Sequence, residues 1–350
     1  MRIIIDAMGG DNAPLEIIRG AAEASFITEA TLVLVGKEDV IFEHLQKLEY
    51  NKDRIEIHHA DGVICMDDDP MAVVRGKKDS SMSEGLRLLK ESGDAFVSAG
   101  NTGALHTGAT LIVRNTKGVR RAAIAAVLPF AKPILLMDSG ANVSTVAENL
   151  VQWAYTGSIY MKKVMNVENP TVGLLNNGTE ECKGTELQRE AYELLSALDD
   201  INFIGNVESK DIPNGICDVL ITDGFTGNIA LKLAEGMAKF MFSQLKTMYT
   251  KNMATKMSYL VMKDELKGLK NSFDASEYGG APLLGLQKPV IKAHGSSDAR
   301  AILNAVRQAE AFIETGVIGK ISDSMSEYSR KQAEARAKDT EVKKEDTNEI

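Results

Sequence analysis

Glycine, asparagine and aspartate gather in five short runs of the chain: Asp6-Ala7-Met8-Gly9-Gly10-Asp11, Ser98-Ala99-Gly100-Asn101-Thr102-Gly103, Asp138-Ser139-Gly140-Ala141-Asn142, Asn176-Asn177-Gly178-Thr179-Glu180 and Thr222-Asp223-Gly224-Phe225-Thr226-Gly227-Asn228. A sixth run, Lys292-Ala293-His294-Gly295-Ser296-Ser297-Asp298, adds a lysine, a histidine and two hydroxyls. Glycine lets backbone N–H groups come close to an oxyanion. A helix that starts after such a turn lends partial positive charge. Asn101, Thr102, Asn142, Asn228, Ser296 and Ser297 supply neutral donors, and Lys183, Lys292 and His294 can supply positive charge. Sites rich in donors and poor in nucleophiles suit a reaction whose nucleophile is itself a substrate. Inorganic phosphate is such a nucleophile, and orientation with electrostatic stabilisation would then carry most of the catalysis.

The candidate catalytic groups are Lys183 and Asn228. Lys183 polarises a thioester carbonyl, holds phosphate, or is a plain surface lysine; Asn228 either donates to substrate or caps the helix that follows it. The candidate substrate-binding set is Asp6, Gly9, Gly10, Asn101, Thr102, Gly103, Asn142, His294, Ser296 and Ser297. Asp6 orients a donor, acts as a base, or simply shapes a turn, and His294 is either a structural histidine or an acid/base group. His44, His58, His59 and His106 have no partner pattern and are assigned no chemistry.

Several chemistries are excluded by missing motifs. There is no GxxxxGK[ST], HExxH, GxSxG or strand-following GxGxxG, so neither a P-loop, a nucleophile elbow nor a nicotinamide cofactor is supported. No metal and no cofactor are expected. Cys65, Cys182 and Cys217 lie far apart, without zinc or disulfide spacing, which points to a reducing compartment and to small buried thiols.

These turns need elements to hold them. Apolar runs at Ile3–Ile5, Leu32–Val35, Ile55–His58, Ala95–Val97, Ile124–Val127, Ile134–Met137, Val172–Leu175, Asn202–Ile204 and Val219–Ile221 read as strands. Helical stretches at Leu15–Ala24, Ser83–Glu91, Val146–Met161 and Glu186–Leu198 alternate with them. The rhythm predicts an α/β fold, a mostly parallel sheet with helices on both faces. All five turns follow carboxyl ends of strands, so they are expected along one edge, lining one cleft.

Apolar positions 233, 237, 240, 241, 245 and 248 form one face of a helix, and a second helix is expected over about Thr255 to Leu269. Together they read as a helical arm at 232–275, either a core pair or a surface for a partner, a second copy or a membrane. Between Lys232 and Lys270 eight lysines stand against three carboxylates, although the whole chain of 350 residues carries a net charge of -9. An acidic chain is a poor nucleic-acid binder, whereas the basic segment would attract an acidic protein or anionic lipid. A helix is expected from about Ala299 to Thr315. Residues 1–322 are expected to form a single domain, and 323–350 a charged, disordered or frayed tail. No apolar stretch is long enough to span a bilayer and Met1–Gly10 does not read as a signal peptide, so a cytoplasmic location is expected.

The first, second and fifth turns, with Ala13-Pro14 and the run Lys292–Asp298, resemble the phosphate acyltransferase family of bacterial phospholipid synthesis, in the same order over roughly residues 1 to 315. The resemblance implies a three-layer α/β/α sandwich, similar to phosphotransacetylase and isopropylmalate dehydrogenase. It implies an acyltransferase that makes acyl phosphate from inorganic phosphate and acyl carrier protein, not coenzyme A. It also implies a homodimer, peripheral association with the membrane, and a membrane glycerol-3-phosphate acyltransferase as the next enzyme. Lys183 and Asn228 match motif positions of that family. The alternatives are a short-chain acyl-CoA phosphotransacetylase and a non-catalytic scaffold for carrier protein.

Overall fold

The computed structural model describes residues 1–272 and 275–348. Its strands are β1 (Arg2–Asp6), β2 (Thr31–Gly36), β3 (Ile55–His59), β4 (Ala95–Ser98), β5 (Ala123–Pro129), β6 (Pro133–Met137), β7 (Thr171–Asn176), β8 (Asn202–Glu208), β9 (Val219–Ile221), β10 (Ala281–Leu284) and β11 (Val290–Lys292). Its helices are α1 (Leu15–Ala24), α2 (Glu38–Leu45), α3 (Ala72–Arg75), α4 (Ser81–Glu91), α5 (Thr102–Gly108), α6 (Ala147–Lys163), α7 (Glu186–Ser196), α8 (Gly224–Thr250), α9 (Met253–Ser272), α10 (Ala299–Glu314) and α11 (Val317–Asn348).

The strands form one sheet in the order β3-β2-β1-β4-β11-β10-β5-β6-β9-β7-β8. Strand alternation explains its two coats. Ile3 and Ile5 of β1 pack with Ile17, Ile18 and Ala21 of α1 and Ile302, Ala305 and Val306 of α10. Ile4, between them, points the other way, onto Leu86 and Leu89 of α4 and Leu105 of α5. In the second half Leu135 and Met137 of β6 face Leu150 and Trp153 of α6. Ile134 and Leu136 face the opposite layer, where Ala230, Leu231 and Ala234 of α8 pack. The sandwich therefore has three layers in both halves.

Seven of the ten strand pairings are parallel, so the sheet is mostly parallel as expected. The exceptions reorganise the site. β10 runs antiparallel to both β11 and β5, and β5 and β6 form an antiparallel hairpin. Consequently β1, β4 and β11 point one way while β6, β9 and β7 point the other. The five turns do not share one edge; they form two groups.

α8 exposes the apolar face read from its sequence: Leu233, Met237, Phe240 and Met241 are solvent-facing, which excludes a core helix pair within this chain. α9 packs on α8. Residues 273 and 274 of the expected arm lie outside the described residues, as do 349 and 350 of the expected tail. The domain limit expected at 322 falls inside α11, and Met325 and Tyr328 beyond it are buried against α6 and its neighbours. Cys217 is buried, but Cys65 and Cys182 are exposed, contrary to the expectation of three buried thiols.

Candidate active site

The first group of turns is built over Asp6. Its buried carboxylate accepts from Ser81 Oγ at 2.6 Å, Ser98 Oγ at 2.7 Å and the Met8 amide at 3.3 Å. Burial raises its pKa from the ordinary carboxylate value, and these hydrogen bonds, with one from the Gly9 amide, oppose the rise. Gly9 has no alternative at this position: a β-carbon there would lie 2.4 Å from Asp6 Oδ2 and 3.0 Å from Gly100 Cα. Gly10 takes a positive φ of 113° with Ala99 and the Gly295 carbonyl alongside. The Asp11 amide donates to Gly295 O at 2.8 Å, and Asn12 Nδ2 to the carbonyls of Ser296 and Ser297 at 3.1 and 3.2 Å. The turns after β1, β4 and β11 are thus stitched into one structure.

Within this group the predicted residues divide. Asn101 caps α5, its Oδ1 accepting from the Ala104 amide, and its Nδ2 donates to the carbonyls of Cys65, Met66 and Asp68. The expectation that its side chain donates to substrate is corrected, because both ends are committed to the fold. The amides of Gly10, Thr102 and Gly103 have no acceptor among the described residues. The Gly9 amide acts on the Asp6 carboxylate, helping to hold its pKa down. His294 Nδ1 pairs with Ser296 Oγ at 2.8 Å and accepts from the Ser296 amide at 3.2 Å, while Nε2 has no partner among the described residues. Burial lowers the His294 pKa, with Glu235 opposing and Lys232, Lys292 and Lys239 adding to the fall. Ser297 is buried, and its Oγ has no partner.

The second group is built over Asp138, which the sequence did not single out. Its Oδ1 accepts from the amides of Ile124, Gly140 and Ala141, and its Oδ2 from the amide and Nδ2 of Asn142. Asn142 Nδ2 also reaches Ala122 O at 2.9 Å, so its side chain too is held inward, a second correction. The turn after β9 joins through Gly224 N, which donates to Asn142 O at 2.9 Å. Asp223, not Asn228, caps α8: its carboxylate accepts from the Thr226 amide at 2.9 Å and the Thr226 hydroxyl at 2.8 Å. Asn228 lies one turn further on, exposed, over Gly140, where a β-carbon would meet its Oδ1 at 3.4 Å. The capping alternative is therefore removed. Lys183 is exposed on the loop after β7, the strand beyond β9, with its stem over Gly178. Its ammonium has no ion pair among the described residues.

Two elements bridge the groups. α5 starts at Asn101, and His106 near its end places Nε2 3.2 Å from Ala122 O, the carbonyl that also receives Asn142. Burial lowers the His106 pKa, so this histidine is a neutral tie between loops. α8 starts at Asp223, and its Lys232 acts electrostatically on both Lys292 and His294. Sequence reading missed Ser81, Asp138 and His106 because each acts through a tertiary contact that no local pattern announces.

Parallel strands with donor-bearing turns flanking a reversal in the sheet place the protein in the phosphotransacetylase class of fold. The structure matches a phosphotransacetylase from Streptococcus pyogenes with a TM-score of 0.61 at 19% identity, covering 91% of this chain and 94% of that one. It also matches a 4-hydroxythreonine-4-phosphate dehydrogenase from Klebsiella pneumoniae, with a TM-score of 0.52 at 13% identity, covering 89% and 99%. The chain belongs to the fatty acid synthesis protein family, whose model matches residues 1–320. It is 48% identical over 328 residues to a phosphate acyltransferase of Alkaliphilus oremlandii, spanning 93% of this chain and 98% of that protein.

Proposed function

We propose that this protein transfers a fatty acyl group from the thioester of acyl carrier protein to inorganic phosphate, releasing an acyl phosphate for phospholipid synthesis. The observation that carries the reading is the pairing of two loop groups across α5 and α8, one with unengaged amides and a buried lysine, the other presenting Asn228. Phosphate sits in the first group, against the amides of Gly10, Thr102 and Gly103, with Ser296 and Ser297. The thioester enters from the second, beside Asn228 and Lys183. A phosphate oxygen attacks the carbonyl carbon, forming the C–O bond. The oxyanion is held by Asn228 and Lys183, and collapse breaks the C–S bond, the thiolate leaving with its electron pair. The enzyme forms no covalent intermediate. Donors aimed at developing charge are typically worth about 10²–10³-fold in turnover each.

The eight lysines from Lys232 to Lys270 favour an acidic carrier protein, since complementary charge raises encounter rates. The exposed apolar residues of α8 and α9 support a homodimer contact and peripheral attachment to a membrane, where the acyl phosphate is consumed. No helix among the described residues is long and apolar enough to cross a membrane.

The test combines purified protein, long-chain acyl-ACP and labelled phosphate. Labelled acyl phosphate is expected, and its absence rejects the reading. The phosphotransacetylase fold favours a short-chain acyl-CoA enzyme as the second reading, so acetyl-CoA is assayed in parallel; it should be a poor donor. Lys183→Ala and Asn228→Ala should each lower kcat by about 10²-fold with the far-UV spectrum unchanged. Wild-type turnover in either would remove that side chain from the mechanism.

A further inference from the structure

Three adjacent strand ends carry Asp6, Ser98 and Lys292. Lys292 is the register partner of Ser98, whose hydroxyl donates to Asp6. Lysine is rarely this enclosed without a carboxylate, yet Lys292 is 8% exposed and is in no ion pair among the described residues. Its Nζ donates to the carbonyls of Ala99, at 3.3 Å, and Ala293. An ammonium has three N–H bonds, so one is left over. On the same segment Ser297, 5% exposed, keeps an Oγ with no partner. This buried cation and this buried hydroxyl, both incompletely satisfied, bear on the turn that carries the unengaged amide of Gly10: Ala99, whose carbonyl receives Lys292 Nζ, flanks Gly10, and Asn12, two residues on, donates to the Ser297 carbonyl. Groups enclosed this way are completed by a ligand or leave the fold destabilised.

We infer that Lys292, with Ser297, is the cation that binds the phosphate nucleophile, its remaining N–H and the Ser297 hydroxyl donating to phosphate oxygens. The assignment rests on the transacylase reading above and adds the residue that holds the nucleophile. Asp6 and Ser98 act as positioning residues that fix the ends of β1 and β4, the two strands on one side of β11. Several charged groups bear on Lys292. Burial pushes its ammonium down to about 8, Lys232 of α8 adds to the fall, and Asp11 and Asp6 oppose it. His294, two residues along the same segment, has a lowered pKa of its own, so it titrates on the acid side. Phosphate binding should therefore weaken as pH rises through about 8, because the cation is lost while phosphate stays dianionic.

The test is steady-state kinetics with phosphate and acyl-ACP varied separately, together with calorimetric titration of phosphate alone. Lys292→Met should raise the phosphate KM by about 10–100-fold and leave that for acyl-ACP within about twofold. Lys292→Arg should restore part of the loss and carry phosphate binding to higher pH. In wild type, kcat/KM for phosphate should fall about tenfold per pH unit above about 8. An unchanged phosphate KM in Lys292→Met, or a loss confined to acyl-ACP, overturns the assignment. Should that variant not fold, Ser297→Ala and the wild-type pH profile decide: a normal phosphate KM and a flat profile to pH 9.5 reject it. If wild type makes no acyl phosphate but still binds phosphate in a Lys292-dependent way, the function fails while the anion site stands.

Discussion

Asp138 has no solvent exposure, and the whole turn that faces Asn228 hangs from its carboxylate. Four backbone amides and the Asn142 side chain donate to it. Asp138→Ala strips all five of their acceptor, and each buried donor left unsatisfied costs about 1–3 kcal/mol before the loop relaxes. The expected loss is about 3–4 kcal/mol in urea denaturation, with acyl transfer abolished. Asp138→Asn should lose less, because a carbonyl can keep the three contacts of Oδ1 while the new amide opposes the two donors at Oδ2. Residue types were legible in the sequence: Gly10, Thr102 and Gly103 keep amides without an acceptor among the described residues, Asn228 is exposed over Gly140 and Ser297 Oγ has no partner, whereas Asp6 is a buried acceptor. Side-chain direction was not. Asn101 and Asn142 carry the right chemistry but point into the protein, since an amide's partner is chosen by chain segments 20 to 36 residues away. The sequence marked Lys292 only as a source of positive charge; its enclosure at the end of a strand between β4 and β10 appears only once the sheet is assembled.

The nine apolar runs and the helices between them all appear as elements, because buried strands and amphipathic helices carry their period locally. The reversal of the sheet lies in the β5–β6 hairpin, both of whose strands were read but not their antiparallel pairing, and β10, which pairs antiparallel with both of its neighbours, was not read as a strand. Its four residues, Ala281–Leu284, include a proline and follow two glycines at positive φ, so no period can be seen in them. α11 shows the opposite difficulty. Its charged composition hides a short apolar stripe, Val317, Ile321, Met325 and Tyr328, at spacings of three and four that bury one face. Tyr328 lies against Tyr155 with ring centroids 5.4 Å apart, and Tyr155 donates to Asp200 at 2.6 Å, which Lys331 of α11 also contacts at 3.0 Å. The helix is thus a buttress for α6. Met325→Ala should destabilise by about 2–4 kcal/mol. Ending the chain after Ser322 should lower Tm further, and an unchanged Tm would return this segment to a dispensable tail.

At the scale of the whole molecule, charge and apolar surface are separated in a way that bears on recruitment. The chain as a whole is acidic, at -9, yet α8 and α9 gather an excess of lysine. α9 also exposes Leu260 at 67% and Val261 at 84% of their surface. Beyond a Debye length, about 8 Å at physiological ionic strength, repulsion from the acidic body and attraction by the basic patch are both screened, so the patch acts only when it faces an anionic surface at close range. Attachment should therefore need both parts: lysines to approach, worth about 1 kcal/mol each at an anionic surface, and apolar side chains to stay. Leu260→Asp with Val261→Asp touches no packed residue of the core, so fold and turnover with acyl-ACP in solution should be retained. Sedimentation with phosphatidylglycerol-containing vesicles should drop about tenfold or more. Lys256→Glu with Lys263→Glu should weaken vesicle binding and also slow encounter with the acidic carrier protein, raising the acyl-ACP KM most at low salt. If the apolar pair leaves vesicle binding intact and instead changes the oligomeric state measured by ultracentrifugation, this face is the contact between two copies, and the membrane must be met by another surface.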